Sequence, residues 1–355
     1  MILDSKNKSS RLLIVTQTVD EGDPVLGFFV RWIEEFAQNV EQVEVICLKL
    51  GRSDLPKNVR VHSLGKEDPP RFARRVVYAF RFLRLAWQLR REYDAVFVHM
   101  NPEYIVLAGI LWRALGKRVA LWYTHRSVDL KLRIAAILTN VIVTASAESF
   151  RLPSTKMRVV GHGIDMTQFV PLPKKQTGTT LHVLTIGRLS STKRILEMLA
   201  AIDVLVARGV SVAFTIAGVP ATVADAAYER QVHAMIFAKP TASHVQFLGA
   251  VSHTDIPALL ERHDVFLNLS LTGSLDKAVL EALAAGLPAV TTNVAFRDLL
   301  ANVPGLFIET DSPETIADAL VFAAHADITP ITGRIRAQFA LPHTIATICQ
   351  LLMGE

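Results

Sequence analysis

Two stretches of this sequence place cations, hydroxyls and carboxylates where a strand gives way to a helix, and both suit an anionic ligand. In L-T-I-G-R-L-S-S-T-K-R an apolar run ends at Gly187 and brings Arg188 and, five residues later, Lys193 to the start of the next helix. Basic side chains are mildly unfavourable at a helix N-terminus, so a pair of them there calls for a compensating anion, and two cations can hold a diphosphate. In S-L-T-G-S-L-D-K-A-V-L-E, the residues Thr272, Gly273, Ser274, Leu275, Asp276 and Lys277 lead into a helix that carries Glu281. The free N–H groups of a helix start form a second anion site. Glu281 lies just before the apolar A-L-A-A-G-L-P run, and a carboxylate on such a surface needs partners because burying it alone is costly. Ribose hydroxyls of a nucleotide are such partners; a neighbouring backbone that the carboxylate caps is the alternative.

The first half of the chain offers further groups. Gly27, in G-D-P-V-L-G-F-F-V-R-W, precedes an amphipathic helix after the first strand, where a plain turn explains it as well as ligand contact does. His125, in L-W-Y-T-H-R-S, follows a strand end, the position at which ligand-facing side chains collect in parallel sheets. His99, in V-F-V-H-M-N-P-E-Y, ends the strand before it and with Asn101 and Glu103 can line the substrate side of a cleft, or else pack in the core. His162 and Asp165 lie in G-H-G-I-D, where turns account for Gly161 and Gly163. No Asp-x-Asp triplet occurs, so a common metal-binding signature is lacking, and no G-x-G-x-x-G follows the first strand, which weakens a dinucleotide reading.

These groups need a scaffold, and the pattern around them is α/β. The 355 residues exceed one comfortable core, so two domains are expected. Apolar runs such as L-L-I-V-T, V-E-V-I-C-L-K-L, D-A-V-F-V-H-M, R-V-A-L-W-Y-T and V-I-V-T-A-S alternate with helix-like segments, which argues for parallel sheets covered on both faces. The stretch F-V-P-L-P-K-K-Q-T-G-T-T, residues 169–180, reads as a linker. After it the alternation restarts with L-H-V-L-T-I-G, V-A-F-T-I-A-G, H-V-Q-F-L-G, V-F-L-N-L-S, L-P-A-V-T-T and L-F-I-E. Two Rossmann-like domains with parallel sheets facing across a cleft are therefore expected, residues 1–168 and 169–335, with a C-terminal helix over about 336–355 packing back on the first. Such sheets bind ligands at the C-terminal ends of their strands, which makes the cleft the expected site.

The net charge of +5 is uneven: residues 1–170 carry 25 Lys and Arg against 17 Asp and Glu, the rest 13 against 16. Arginines 71, 74, 75, 81, 84, 90 and 91 fall among aromatic and aliphatic residues in a basic amphipathic helix, 71–91. That helix is a candidate for peripheral contact with an anionic membrane surface; the alternative is a core-packed helix with its arginines on the wet face. No nucleic-acid motif accompanies the arginines, so nucleic acid is not an expected partner. Cys47 and Cys349 have no partners at metal-ligand spacing, the N-terminal residues lack a signal-peptide core, and apolar runs stop short of the roughly 20 residues a transmembrane helix needs. A reduced cytoplasmic setting is expected, at the inner face of the plasma membrane if the arginine-rich helix docks there.

The segments G-R-L-S-S-T-K, L-E-A-L-A-A-G-L-P-A-V-T-T, V-V-G-H-G-I-D and V-Q-F-L-G-x-V resemble, in order and over nearly the whole chain, the nucleotide-sugar-dependent glycosyltransferases of family 4, which have the GT-B fold. The resemblance implies retaining, metal-independent transfer of a sugar to a hydroxyl of a glycan or lipid-linked acceptor, as in polysaccharide or glycolipid biosynthesis, with no cofactor. It implies that the C-terminal domain holds the donor, with Arg188 and Lys193 on the diphosphate beside Gly187, Glu281 on the ribose, and residues 272–277 around the phosphate and sugar. Gly27 then matches a glycine-rich loop touching the diphosphate, His125 a histidine near the donor sugar, and His99, Asn101 and Glu103 fall on the acceptor side. One departure stands out: the family pairs two glutamates eight positions apart, and Gly273 occupies the first position. The sugar must then be gripped by the backbone N–H groups of Ser274 to Asp276 or by other side chains. A non-catalytic nucleotide-sugar or glycan binder is the main alternative; a sugar-nucleotide epimerase would need an acid/base carboxylate pair that the sequence does not offer.

Overall fold

The structure is a computed structural model that describes residues 10–23, 25–69, 74–172, 178–237 and 239–354. The chain divides into two compact units, residues 1–163 together with 339–355, and residues 164–338. The division falls ahead of the proline-rich stretch expected to be the linker. Phe169 is buried, its carbonyl accepts from Arg336, and the Leu172 N–H donates to the Ala285 carbonyl at 2.8 Å, so residues 169–172 are part of the second unit. Residues 173–177 of that stretch lie outside the described residues.

The first unit runs β1 (Arg11–Val19), α1 (Phe29–Asn39), β2 (Gln42–Leu50), β3 (Val59–Ser63), α2 (Arg74–Gln88), β4 (Ala95–His99), α3 (Pro102–Ala114), β5 (Arg118–Trp122), α4 (Leu130–Leu138), β6 (Val141–Thr144) and β7 (Met157–Val159). Its sheet is parallel throughout, in the order β3-β2-β1-β4-β5-β6-β7. The fully apolar run of β1 follows from burial on both faces. Leu12 and Ile14 point into one core with Phe29, Trp32 and Phe36 of α1, while Leu13 and Val15 point into the other with Phe82, Tyr104 and Trp112. The helix of the arginine-rich segment ends at Gln88, so Arg90 and Arg91 follow it; Arg71 lies outside the described residues.

The first core is completed by the C-terminal helix, Leu341–Met353, whose Leu341, Ile345, Ile348 and Leu352 recur at helical spacing and are all buried against α1 and the sheet. The Thr344 hydroxyl donates to the Val160 carbonyl at 3.3 Å, and the Trp32 indole N–H to the Gly163 carbonyl at 3.2 Å.

The second unit runs β8 (Leu181–Ile186), α5 (Ile195–Ala207), β9 (Val212–Ala217), α6 (Val223–Phe237), β10 (Val245–Gly249), α7 (Ile256–Glu261), β11 (Val265–Asn268), α8 (Lys277–Ala284), β12 (Ala289–Thr291), α9 (Arg297–Leu300), α10 (Pro313–Ala323) and α11 (Thr329–Gln338). Its sheet is also parallel, in the order β10-β9-β8-β11-β12. L-F-I-E, which reads as a sixth strand, makes only one bridge, Phe307 to Thr291. Each sheet reverses its winding once, between β1 and β4 and between β8 and β11. At such a reversal the loops of a doubly wound sheet diverge, which makes the strands' carboxyl ends there the candidate crevice for a ligand.

Truncating Ile348 to Ala should cost about 3 kcal/mol through the lost methylenes and the residual cavity. A lowered urea midpoint in the transition that exposes the buried tryptophans checks this; an unchanged midpoint shows that the C-terminal helix does not complete the core.

Candidate functional site

The crevice of the second unit is built from backbone first. The Gly187 N–H donates to the Ala217 carbonyl at 2.9 Å and the Gly218 N–H to the Gly249 carbonyl at 2.7 Å, stitching together the ends of β8, β9 and β10. Gly218 has φ +146 and presses on the Gly187 carbonyl, where any Cβ would overlap it. Residues 191–193 form a single tight turn and Arg194 takes a left-handed conformation, so α5 begins only at Ile195 and Lys193 lies ahead of it. Arg188 is half-exposed, its Nε 3.7 Å from the Asp225 carboxylate. An exposed pair at that distance is worth little, which leaves the guanidinium available to a ligand.

The loop after β11 joins this one through the Leu271 N–H, which donates to the Thr192 carbonyl at 3.1 Å. Ser270, Thr272 and Ser274 form a run of hydroxyls at 3.0 and 3.4 Å, and the Asn293 amide holds the Ser274 carbonyl at 2.8 Å. Gly273 has φ +60, so the backbone where the family resemblance leads one to expect a glutamate is left-handed and suited to glycine. The helix that carries Glu281 follows this loop, as the sequence suggests. It starts at Lys277, because the Asp276 carboxylate accepts from the Ala278 N–H at 3.3 Å and is the cap. Asp276 also accepts from the Asn268 amide at 3.0 Å and from the Lys193 ammonium. Burial, the largest influence on its carboxyl, favours the neutral acid but is outweighed by Lys193, so the group is held below the usual carboxylate range. Lys193, expected to face an anionic ligand, thus already has a carboxylate partner.

One helical turn along α8, Glu281 is buried and its Oε1 accepts from both Lys277 and His253 Nε2, the latter at 2.7 Å. Burial again pushes the carboxyl up most strongly, yet Lys277 and His253 bring it down to about 2. Neither bond uses Oε2. His253 follows β10, and its ring stands edge-on to Phe169 with centroids 5.8 Å apart. Sequence reading missed it, although a histidine four residues past the strand-ending Gly249 carries the same signal that singled out His125.

In the first unit, Gly27 lies in the turn before α1, where an added Cβ would come within 2.7 Å of the Asp23 and Glu21 carbonyl oxygens, so chain packing alone demands glycine. His99 is buried, its ring stacked on Phe29 at 4.0 Å, and burial with His162 and His125 nearby lowers its pKa to about 3. It is a neutral core group rather than one lining an open side. Asn101 donates to the His99 carbonyl at 2.9 Å, and Glu103 is in an exposed ion pair with Lys131 at 2.8 Å, so the two are not brought together with His99 in one site. His125 is exposed on the loop after β5, edge-on to Tyr123. Among the described residues no three His, Cys, Asp or Glu side chains group as a metal site, and no helix is long and apolar enough to cross a membrane.

Residues 180–325 match the family described as glycosyl transferases group 1. The chain is 27% identical over 195 residues to the putative colanic acid biosynthesis glycosyltransferase WcaL of Escherichia coli, covering 52% of this chain and 47% of that protein. It is 27% identical over 139 residues to the gpi3 subunit of phosphatidylinositol N-acetylglucosaminyltransferase of Schizosaccharomyces pombe, covering 39% of this chain and 29% of that one. The chain thus spans about half the length of WcaL or less of these curated relatives. Among solved structures, HepE of Anabaena in complex with UDP and glucose matches with a TM-score of 0.74 at 17% identity, covering 98% of this chain and 100% of that one. Sucrose-phosphate synthase of Thermosynechococcus elongatus matches at 0.72 and 15%, covering 97% and 98%. These likenesses establish the GT-B class of fold, two parallel α/β sheets in one chain.

Glu281→Gln should cost roughly 3 kcal/mol at neutral pH, because a buried ion pair loses one partner. A depressed carboxyl contributes stability that is present above its unfolded value near 4.5 and lost as pH falls toward about 2. Urea midpoints of wild type and variant should therefore converge across that window; a gap independent of pH contradicts the assignment.

Proposed function

We propose, for a chain whose residues 180–325 match the family described as glycosyl transferases group 1, transfer of a sugar from a nucleoside diphosphate sugar to a hydroxyl of a glycan or lipid-linked acceptor. The observation that carries this is the joining, at the β8–β11 switch point, of the loop that bears Lys193 to the 270–276 loop through the Lys193–Asp276 ion pair and the Leu271–Thr192 backbone hydrogen bond. The UDP and glucose held by HepE and the polysaccharide named for the Escherichia coli relative support the reading.

In this reading the diphosphate, more highly charged than a carboxylate, draws the Lys193 ammonium from Asp276, while Arg188 closes on it from the exposed side. Asp276 keeps Asn268 and the Ala278 N–H as partners. Glu281 Oε2 takes ribose hydroxyls while Lys277 and His253 hold Oε1. With Gly273 in place of a glutamate, the sugar falls to the N–H groups of Ser274 to Asp276. The assignment of His125 to the sugar or its phosphate rests on the family resemblance.

As the bond between the anomeric carbon and phosphate oxygen breaks, negative charge grows on the departing oxygen and positive charge on the sugar. Lys193 and Arg188 stabilise the former, the electrostatic work that a metal does elsewhere. Attack by the acceptor hydroxyl on the same face, with its proton passing to the departing phosphate oxygen, gives retention without a nucleophilic carboxylate.

A screen of UDP-, GDP- and ADP-sugars with glycan and lipid-linked acceptors tests the proposal. Lys193→Ala should lower turnover on the order of a hundredfold, and EDTA should leave it unchanged. Wild-type-like turnover in the variant removes Lys193 from the mechanism, and binding without transfer or hydrolysis marks a non-catalytic relative.

A further inference from the structure

The outer face of α2 is apolar where a solvated helix would be polar. Phe82 and Ala86 turn inward, with Tyr78, Leu85 and Leu89 packed on the same core. A second seam, Val76, Phe80, Leu83 and Trp87, recurs at the helical spacing i, i+4, i+7, i+11 and points to solvent, with Val76 70%, Phe80 66% and Trp87 50% exposed. The neighbouring α3 and α4, packed in the same layer, add exposed Leu107, Ile110, Leu130 and Ile137. Arginines border the seam, and Arg75, Arg84, Arg91 and Arg133 make no ion pair or side-chain hydrogen bond among the described residues. Within the three helices the only acidic residue is Glu103, already paired with Lys131.

We infer that this face, α2 flanked by α3 and α4, docks on an anionic lipid bilayer, with Phe80 and Trp87 entering the headgroup boundary and the arginines meeting lipid phosphates. The charge pattern selects that occupant. A second copy of the chain, paired about a two-fold axis, would set the same arginines against one another. An anionic headgroup layer complements them, and an exposed aromatic and aliphatic seam is stabilised at the acyl boundary. The inference concerns the first unit's surface and stands apart from the donor reading, so either can fail without the other.

Trp87 supplies the readout. It is the exposed one of four tryptophans, since Trp32, Trp112 and Trp122 are buried. Mixing the protein with phosphatidylcholine vesicles containing phosphatidylglycerol should sediment it and blue-shift its tryptophan emission, and brominated acyl chains should quench that emission. Pure phosphatidylcholine vesicles or high salt should abolish the binding. Arg75→Gln with Arg84→Gln should weaken partitioning about 30-fold. Phe80→Ser with Leu83→Ser should weaken it at least tenfold, and Trp87→Phe should bind while losing the blue shift. All these side chains are exposed, and circular dichroism should show the variants folded. Failure to sediment with anionic vesicles, sedimentation without a Trp87 signal, or a dimer that Phe80→Ser dissociates would each overturn the inference.

Discussion

The ion pair between Lys193 and Asp276 joins the two chain segments on which the site depends. They leave adjacent strands, β8 and β11, at the point where the winding of the sheet reverses. Asp276 cannot drift, because it caps α8 and is gripped by the side-chain amide of Asn268, the last residue of β11, whose Oδ1 accepts from the Ser270 N–H at 3.3 Å and the Thr291 hydroxyl at 3.2 Å. Lys193 lies along Gly187, where a Cβ would stand 3.0 Å from its Cε, so the glycine that ends the strand also makes room for the lysine stem. Both partners keep a small exposed fraction, 16% and 14%. The result is a charged ammonium, already aimed and partly desolvated, whose partner can be exchanged for a stronger anion.

Glu281 repeats the principle one turn further along α8. Its carboxylate is ionised despite burial because Lys277 and His253 surround one oxygen, which orients the other. The two clusters share a helix, so an adjustment at Asp276 moves the base of both. The first unit's strand ends are built differently, closed over by aromatic rings: His99 is stacked on Phe29 and Trp32 packs on Trp122 with centroids 4.9 Å apart. Charge is concentrated at the strand ends of the second unit, packing at those of the first.

Much of this was legible in the sequence for reasons of period and spacing. Runs such as L-L-I-V-T announce buried parallel strands because both faces must be apolar, and the step from Gly187 to Arg188 and Lys193 is local enough for strand and turn geometry to place the side chains. What the sequence hid were pairings across long separations. Nothing near Lys193 signals a carboxylate 83 residues away, and nothing near Glu281 signals His253. Asp276 reads as a ligand-facing residue until its capping role is seen, and His99 as a site residue until Phe29 covers it. Proline content marked 169–180 as a linker, yet prolines fit equally well a segment fastened to Ala285 and Arg336. The amphipathic reading of α2 located the arginines, but periodicity cannot say which of two apolar seams faces the core.

The central claim is that Lys193 is the cation a diphosphate takes over. Calorimetric titration of wild type and Lys193→Ala with UDP, GDP and ADP tests it most directly. The account predicts that at least one nucleotide binds the wild type and that its affinity falls tenfold or more in the variant. Equal affinity in both proteins, or no affinity for any of the three in the wild type, would contradict it.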